Sequence, residues 1–338
     1  MALNKRYARP AMRALWLDDA SKFRFWLRVE TAIIKARSAK NMRARLLLPL
    51  LSQVEVNVQR VDEIEAETHH DRIAFQTMIQ EQIDVLTAQP ETSRETESFL
   101  SGEFGFGTTS YDVEDPALIL MLRQATELII VELQRLIMVI DAKAHQHMWS
   151  ICIAETHGQD AEPSTFGHLL LVYASQLRRC VQRLERVLTE DLSEGRISGS
   201  VGTYSVLSPE IEKISLAELG LVPAVVETQV LQRDRHASLV ANLAITARAI
   251  SQIARTFHTK MRSKYKELRE PRAKGQKGSS AMAHKRNPHK IESLLGLARK
   301  VSSLVGPALE NMELMDWRDI SHSSVERDIL PEVTGYVH

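Results

Sequence analysis

Residues 116–148, PALILMLRQATELIIVELQRLIMVIDAKAHQHM, form the stretch that decides the fold. They contain no glycine and, after Pro116, no proline, and their apolar residues recur at intervals of three and four. This period predicts one α-helix of about 32 residues, roughly 48 Å long at a rise of 1.5 Å per residue. Pro116 suits the first turn of such a helix, and Asp115 suits its N-cap.

Three further stretches show the same period, namely residues 166–192, 234–269 and 288–315. Helices of this length are rare in mixed folds, where the mean is about 11–12 residues. No alternation of apolar and polar residues with hairpin turns persists along the chain. The sequence therefore predicts an all-α fold built on a bundle of four long helices.

The first part of the chain has shorter and less continuous helical patterns than the rest. Its helical patterns, such as residues 19–37 and 43–60, are shorter and are interrupted by acidic or glycine-rich segments. We therefore expect two domains, a small N-terminal helical domain over residues 1–112 and the long-helix bundle over residues 113–338. Near the end of the sequence, Pro331 is expected to open another element.

Composition excludes several classes of partner. The 43 basic and 43 acidic side chains cancel, so the protein has no overall field with which to hold nucleic acid or an anionic membrane. No leader-like apolar region follows the N-terminus, and no stretch approaches the roughly 20 apolar residues of a membrane span. Two cysteines, Cys152 and Cys180, are expected as free thiols. We expect a cytoplasmic protein that binds anions only locally.

Five polar segments separate the predicted helices, at residues 67–75, 104–112, 155–167, 274–290 and 316–330. Each lies at or beside the end of a predicted helix, where free backbone N–H groups can hold anions. In a bundle of long helices such ends converge in space. We therefore expect the functional site among these segments.

Histidines in these segments are candidates for proton transfer. His157 precedes a predicted helix, and the ordinary histidine pKa of about 6.5 suits a proton donor near neutral pH. With 12 histidines in the chain, a capping or surface role is the alternative for each of them. His70 and Asp71 offer a tautomer-fixing pair, although adjacent residues on a helix do not face each other.

Metal chemistry finds little support in the sequence. There is no His-Glu-x-x-His and no paired Cys-x-x-Cys, and His145 and His147 have the wrong spacing for one helical face. The Gly-Gln-Lys-Gly run at 275–278 lacks the spacing of a phosphate-binding P-loop. We therefore predict that the protein uses neither a metal ion nor a cofactor.

The segment KGQKGSSAMAHKRNPHK, residues 274–290, is the least typical of a helical protein. A serine becomes a base or nucleophile only where cations or aligned backbone amides lower its pKa. Ser279 and Ser280 follow Gly278 and precede Lys285 and Asn287, so the segment holds both kinds of group. A flexible, solvated linker whose lysines serve solubility is an equally good interpretation of composition alone.

Together these segments resemble the fumarase and aspartase superfamily and, within it, the adenylosuccinate lyase family. GSSAMAHKRNP, residues 278–288, is similar to the superfamily's Gly-Ser-Ser-x-Met-Pro-x-Lys-x-Asn-Pro loop. Its Thr-x-His-Asp segment is similar to THHD (68–71), its Thr-Ser-x-Asp segment to TTSYD (108–112), and its Thr-His-Gly segment to THGQDAEPSTFG (156–167). The set is completed by TQVLQRDRH (228–236) and WRDISHSSVER (317–327). The motifs occur in order over nearly the whole chain.

The resemblance implies β-elimination of fumarate from adenylosuccinate, giving AMP, and from succinylaminoimidazole carboxamide ribotide in purine synthesis. It also implies a homotetramer in which three subunits share each active site, with a small anionic nucleotide as substrate. Carried over by motif, Ser279 is the base, His157 is the acid and Glu292 is the orienting partner of His157. His70 polarises the substrate, and Lys285 holds the developing charge. The implied substrate-binding residues are Arg6, Tyr7, His69, Asp71, Thr109, Ser110, Gln229, Asn287, Arg318, Ser323 and Arg327.

Three positions depart from the family pattern. Gly105 stands where members usually carry a histidine, Ala283 replaces the proline after methionine, and Glu155 replaces the arginine before Thr-His. Members also continue for about another hundred residues, so an incomplete bundle without a third domain is expected here. The alternatives are another superfamily lyase or cycloisomerase, of the argininosuccinate or carboxymuconate type, and a truncated inactive scaffold.

Overall fold

The computed structural model of the protein describes residues 3–88, 100–271, 274–275, 279, 281–282 and 284–338. Its first part consists of short and medium helices: α1 (Pro10–Trp16), α2 (Asp19–Ser38), α3 (Met42–Leu47), a 3₁₀ turn (Leu50–Gln53), α4 (Val58–Thr68) and α5 (Asp71–Thr87). The rest contains α6 (Ser110–Gln146), β1 (Ile151–Thr156), β2 (Gln159–Thr165), α7 (Phe166–Thr189), β3 (Glu194–Gly195), α8 (Pro209–Glu218), β4 (Val222–Pro223), α9 (Asp234–Lys260), α10 (His289–Ser303), α11 (Val305–Glu310) and α12 (Ser321–Val337). The predicted all-α class is confirmed.

The longest helix, α6, begins earlier than its sequence pattern predicts. Asp115 does not cap it, and Pro116 lies in its second turn, because the helix already starts at Ser110. The Thr109 backbone N–H donates to Asp112 Oδ2 at 2.7 Å, which fixes this start. Asp112 Oδ1 in turn accepts the Gly199 N–H at 3.0 Å and pairs with Arg196. The expected domain boundary between residues 112 and 113 falls in this first turn and stays a prediction.

Helix α7 shows why the long helices bundle. It presents one buried face at intervals of three and four residues, formed by Leu170, Tyr173, Ala174, Leu177, Cys180, Val181, Leu184 and Val187. That face packs on α6 and α9. Burying each of its larger apolar side chains stabilises the fold by about 1.5–3 kcal/mol. The spacing alone therefore determines the element and the face that it buries.

Helix α9 is, among the described residues, long and apolar enough to cross a membrane by length and composition. Of its most apolar window, 61% is buried inside the protein. Its Leu239, Val240 and Leu243 belong to the core cluster and are fully buried. This burial is that of a core helix in a bundle.

Three further predicted helices are wrong in extent, and prolines account for two of these errors. The stretch 43–60 breaks after Leu47 at Pro49, and α4 starts afresh where Asn57 accepts the Arg60 N–H. The stretch 288–315 divides at Leu304, since Pro307 has no N–H to donate to the preceding turn. Helix α9 ends at Lys260 rather than 269. Pro331 lies inside α12 and opens nothing.

The expectation of no hairpin is also wrong. Strands β1 and β2 pair antiparallel and are joined by His157 and Gly158. Both turn residues have positive φ, 56° and 73°, as a tight two-residue hairpin turn requires. Cys152 lies on β1 and Cys180 on α7, and both are unpaired. A two-residue parallel contact joins β3 and β4.

Candidate active site

The ends of six helices enclose a cleft of about 460 Å³. Helices α1 and α2 supply Leu15 to Trp26 on one side, α4 supplies Asp62 and Glu65, and α5 supplies Asp71. Helix α6 forms the floor with Tyr111 and Glu114, and α12 closes the other side with Ser323, Glu326 and Arg327. Three residues predicted to bind substrate, Asp71, Ser323 and Arg327, therefore meet in one cleft.

The Thr-His-His-Asp segment occupies the junction of α4 and α5. His69 ends α4 in the left-handed conformation, with φ of 53°, and the exposed His70 stands at the N-cap position of α5. His70 Nδ1 lies 3.9 Å from Asp71 Oδ1, which is too long for a hydrogen bond. The suggested tautomer-fixing pair is thus not formed in this structure.

Asp71 is the charged residue that links the two sides of the cleft. Its Oδ2 lies 3.1 Å from Lys22 Nζ on α2 and 3.2 Å from Arg327 Nη2 on α12. Burial acts to raise the pKa of Asp71, but the charges of Lys22 and Arg327 outweigh it and leave this pKa below its usual value. Asp71 is therefore ionised at neutral pH, and it holds both cations at the mouth of the cleft.

Tyr111 is a residue that sequence reasoning passed over. The guanidinium of Arg318 lies 4.3 Å from the centre of its ring, and that of Arg233 lies 5.6 Å from it. Its hydroxyl is 3.1 Å from His322 Nε2 and hydrogen-bonds with Ser323. Burial, with nearby carboxylates, raises the pKa of Tyr111, so the phenol stays neutral. The only signal in the sequence was its place inside the TTSYD motif.

Gln229 and Arg318, both predicted to bind substrate, contact each other. Arg318 Nη1 donates to Gln229 Oε1 at 2.8 Å, and Gln229 Nε2 donates to the Ser200 carbonyl at 2.8 Å. These bonds hold the Arg318 side chain over Tyr111. Thr109 and Ser110 lie at the start of α6, immediately before Tyr111 in the sequence. Both are half-buried.

Two carboxyl groups of the cleft hold protons more strongly than usual. Burial raises the pKa of Glu114 to about 7, and the charges of Asp71 and Asp115 add to the effect. Burial also raises the pKa of Glu326 to about 7, against the opposing charge of Arg233. Both groups can therefore exchange protons near neutral pH, and neither was predicted from the sequence.

Met282 and residues 284–289 border a second, basic cleft of about 800 Å³. Lys285 and Asn287 line it with Arg262, Lys266 and Arg269. Three residues of the sequence motif, Gly278, Ser280 and Ala283, lie outside the described residues. The site predicted for a serine base thus adjoins a concentration of positive charge.

Ser279 has two backbone donors aimed at its hydroxyl. Its Oγ accepts from the backbone N–H groups of Ala281 at 3.3 Å and Met282 at 3.2 Å. Such donors stabilise negative charge on an oxygen. The structure therefore places two hydrogen-bond donors at the oxygen that the motif predicts to act as the base.

In the described part of the chain, the contacts of the predicted acid and of its partner do not join them. His157 is exposed at the tip of the β1–β2 hairpin and lines neither cleft, and Glu155 is exposed beside it. Glu292, in the first turn of α10, has its Oε1 3.4 Å from Nε2 of His258. The pairing of His157 with Glu292 stays a prediction. Arg6 and Tyr7 are exposed in the segment before α1.

Gly105 shows what the first departure from the family pattern means structurally. It has a φ of 78°, a conformation that side chains rarely adopt. The Gln76 amide occupies the space that a Cβ at residue 105 would take, and it donates to the Phe104 carbonyl at 3.2 Å. No three His, Cys, Asp or Glu side chains lie close enough to hold a metal ion in the part of the chain that the structure describes.

Comparison with known proteins identifies the family. A family model described as lyase matches residues 5–303. Adenylosuccinate lyases of Bacillus subtilis (strain 168) and Thermotoga maritima are 37% and 40% identical to the chain over 331 residues, covering 98% of it and 73% of each relative.

Solved structures share the fold. The fumarate lyase from Mesorhizobium sp. BNC1 superimposes with a TM-score of 0.84 at 21% identity, covering 99% of this chain and 74% of that one. The 3-carboxy-cis,cis-muconate lactonizing enzyme from Pseudomonas putida gives 0.82 at 23% identity, covering 98% and 72%. The chain therefore belongs to the lyase family and is a fumarate-releasing carbon-nitrogen lyase. Within this family it belongs with the adenylosuccinate lyases, as its motifs predicted.

Proposed function

We propose that this lyase cleaves adenylosuccinate into AMP and fumarate, and that it also releases fumarate from succinylaminoimidazole carboxamide ribotide in purine synthesis. The observation that carries the proposal is the similarity to two adenylosuccinate lyases over 98% of the chain. Both substrates join a succinyl group to nitrogen on an anionic nucleotide. One β-elimination therefore serves for both, in a cytoplasmic enzyme.

Ser279 is the proposed base. It removes a proton from the carbon beside a carboxylate, the electron pair of that C–H bond becomes the second bond of fumarate, and the C–N bond breaks. A C–H bond in that position is weakly acidic, so fixed donors and cations must stabilise the charge that develops. The two backbone N–H groups at Ser279 Oγ and the basic cleft with Lys285 and Asn287 support this role.

His157 is the proposed acid, which protonates the departing nitrogen. Because it stands on an exposed hairpin tip, outside both clefts, it needs another copy of the chain to reach a substrate. Glu292, whose side chain is 54% exposed, is the carboxylate proposed to orient it across that contact. We therefore propose a homotetramer with shared sites.

Exposed apolar side chains on the long helices support assembly. Met138 and Val139 on α6 are 63% and 59% exposed, Leu171 and Val172 on α7 are 52% and 51% exposed, and Ile245 on α9 is 48% exposed. Patches of this kind on elongated helices are typical of contact surfaces. Further copies of the chain are the proposed cover for these side chains.

The remaining motif residues are proposed to hold the nucleotide and succinyl groups. Arginine suits both, because its planar fork donates two parallel hydrogen bonds to a carboxylate or phosphate. Arg327 is 64% exposed at the cleft mouth, where Asp71 holds it, and Arg318 is held by Gln229. His70 is proposed to polarise the substrate, together with Arg6, Tyr7, His69, Thr109, Ser110 and Ser323 as binding residues.

A second candidate is another reaction of the superfamily, of the argininosuccinate or carboxymuconate type. Gly105 favours it, because the site lacks the histidine that the adenylosuccinate lyase pattern carries there, and Gln76 occupies the adjacent space. Assays with argininosuccinate and carboxymuconate separate the two candidates. Turnover of either at a rate above that of adenylosuccinate would replace the first proposal.

The direct test follows the absorbance of adenylosuccinate with purified protein. We expect turnover by the wild type and a loss of about 10²–10⁴-fold in kcat for Ser279→Ala and His157→Ala, the usual contribution of a general base or acid. Ser303→Ala, on α10, and His168→Ala, on α7, are matched controls and should stay close to wild type. An inactive wild type would contradict the substrate, and active Ser279→Ala would contradict the base.

Mixing the two inactive variants tests the shared site. After dissociation and reassembly together, some sites receive His157 from one copy and Ser279 from another, so activity should return. Native mass measurement of the wild type should give four chains. A monomer, or mixed variants that remain inactive, would contradict the shared arrangement.

A further inference from the structure

A hydrogen bond joins residues on either side of the segment that carries Ser279. The carboxylate of Glu270 accepts the backbone N–H of Ile291 through Oε1, at 2.9 Å. Glu270 stands just before the segment, and Ile291 is the third residue of α10, just after it. The bond therefore links two residues that are 21 positions apart, one before and one after that segment.

This contact supplies a cap that α10 cannot supply locally. The first N–H groups of a helix have no partner within the helix, and a side chain at the N-cap usually accepts one of them. Here the N-cap is Pro288, whose ring has no acceptor. The Glu270 carboxylate provides the acceptor instead, and it adds a negative charge at the positive end of the helix.

Neighbouring carboxylates at the base have other partners. Glu267 pairs with Lys260 at 2.6 Å, on the side of α9, and its backbone N–H bonds to the Lys260 carbonyl. Glu292 lies near His258. Glu270 lines the basic cleft together with Lys285 and Asn287. Its contact with Ile291 therefore determines where the chain leaving that cleft enters α10.

We propose that Glu270 is a positioning residue of the lyase. It acts by capping α10, and so fixes the end of the segment from which Ser279, Lys285 and Asn287 act. This inference rests on the proposed function, in which these three residues perform the proton abstraction. A displacement of about 1 Å at a reacting group can cost on the order of 10²-fold in rate. A cap at the base of the segment is therefore expected to influence kcat.

The test compares Glu270→Ala with Glu270→Gln. Glutamine keeps an acceptor oxygen for the Ile291 N–H, whereas alanine removes it. Glu267→Ala is the matched control, since it deletes a carboxylate three positions earlier that does not touch α10. Ser208→Ala is a second control, because Ser208 caps α8 through the Ile211 N–H and lies outside both clefts.

Two measurements are made on each full-length variant. Hydrogen exchange reports the peptide that contains Ile291, and we expect Glu270→Ala to speed its exchange about tenfold while both controls leave it unchanged. Steady-state kinetics with adenylosuccinate should show kcat lower by about 10- to 100-fold in Glu270→Ala, with a smaller change in KM. Glu270→Gln should stay within about threefold of wild type, since amide and carboxylate oxygens cap helices equally well.

The outcomes separate this inference from the proposed function. An inactive wild type overturns the proposed function, while the exchange measurement still tests the cap. An active wild type with equal kcat in Glu270→Ala and Glu267→Ala overturns the positioning role alone. Unchanged exchange at Ile291 in Glu270→Ala overturns the cap. A general loss of stability would appear in Ser208→Ala as well, and thermal unfolding of all four variants detects it.

Discussion

Replacing Arg233 with methionine should destabilise the protein by about 3–5 kcal/mol, because it leaves buried carboxylates without their common cation. Arg233 is 1% exposed, and its Nη1 lies 3.0 Å from Asp115 Oδ1. Its Nε lies 2.9 Å from Glu326 Oε1. Asp115 keeps the Leu231 N–H at 2.7 Å after the substitution, whereas Glu326 loses its charged partner.

The size of the loss should depend on pH. Burial raises the pKa of Glu326 to about 7, and Arg233 opposes that rise. Without Arg233 this pKa moves higher, so Glu326 is neutral at about pH 5.5 and ionised only well above neutrality. An acid whose folded-state pKa is raised binds its proton more tightly in the folded state than in the unfolded state. Proton binding therefore stabilises the folded protein at low pH, and this stabilisation is lost as pH rises through the folded-state pKa. Relative to the wild type, the variant should therefore lose less free energy of unfolding at about pH 5.5 than at pH 8.

Urea unfolding followed by far-ultraviolet circular dichroism measures both values, at one fixed protein concentration. Arg60→Met is the matched control, because Arg60 also bridges two carboxylates, Glu63 and Glu81, but is 42% exposed. It should change little at either pH. A loss below about 1 kcal/mol for Arg233→Met at pH 8, or an equal loss at both pH values, would refute the reasoning.

Two further predictions concern the cleft. Burial raises the pKa of Glu114 to about 7, so the free energy of unfolding of the wild type should fall as pH rises through neutrality. Glu114→Gln should show a smaller fall. Urea titrations at several pH values measure it, and the same dependence on pH in both proteins would contradict the prediction. Tyr111→Phe keeps the ring under Arg318 but removes the hydroxyl that contacts the buried His322. It should lower the free energy of unfolding, measured in urea, by about 1–3 kcal/mol. A variant as stable as the wild type would contradict this prediction.

The sequence predicts the fold best where one helix face is buried along its whole length. The period of α7 alone determines its extent to within a turn, from Phe166 to Thr189. The start of α6 could not be predicted this way, because Asp112, which fixes it, is itself held by Arg196 and Gly199 from a distant part of the chain. The hairpin was missed because His157 and Gly158 are not among the usual turn pairs.

The same distinction applies to the site. Motif resemblance predicts Asp71, Ser323 and Arg327 as binding residues, and the structure brings these three to one cleft. Tyr111 and Glu114 were not predicted, since their environment is set by contacts far along the chain, such as His322 against Tyr111. A single sequence gives the chemical type of such residues but not the burial that changes their pKa.

The cleft joins elements made early in synthesis to one made late. Its sides come from α1 and α2 near the amino end and from α12, which begins at Ser321, while α6 forms the floor. A nascent chain that has not yet reached Glu326 holds Arg233 and Asp115 but not the third member of their ionic group. Folding of this region therefore waits for nearly the whole of the described chain, because its contacts join residues far apart in sequence.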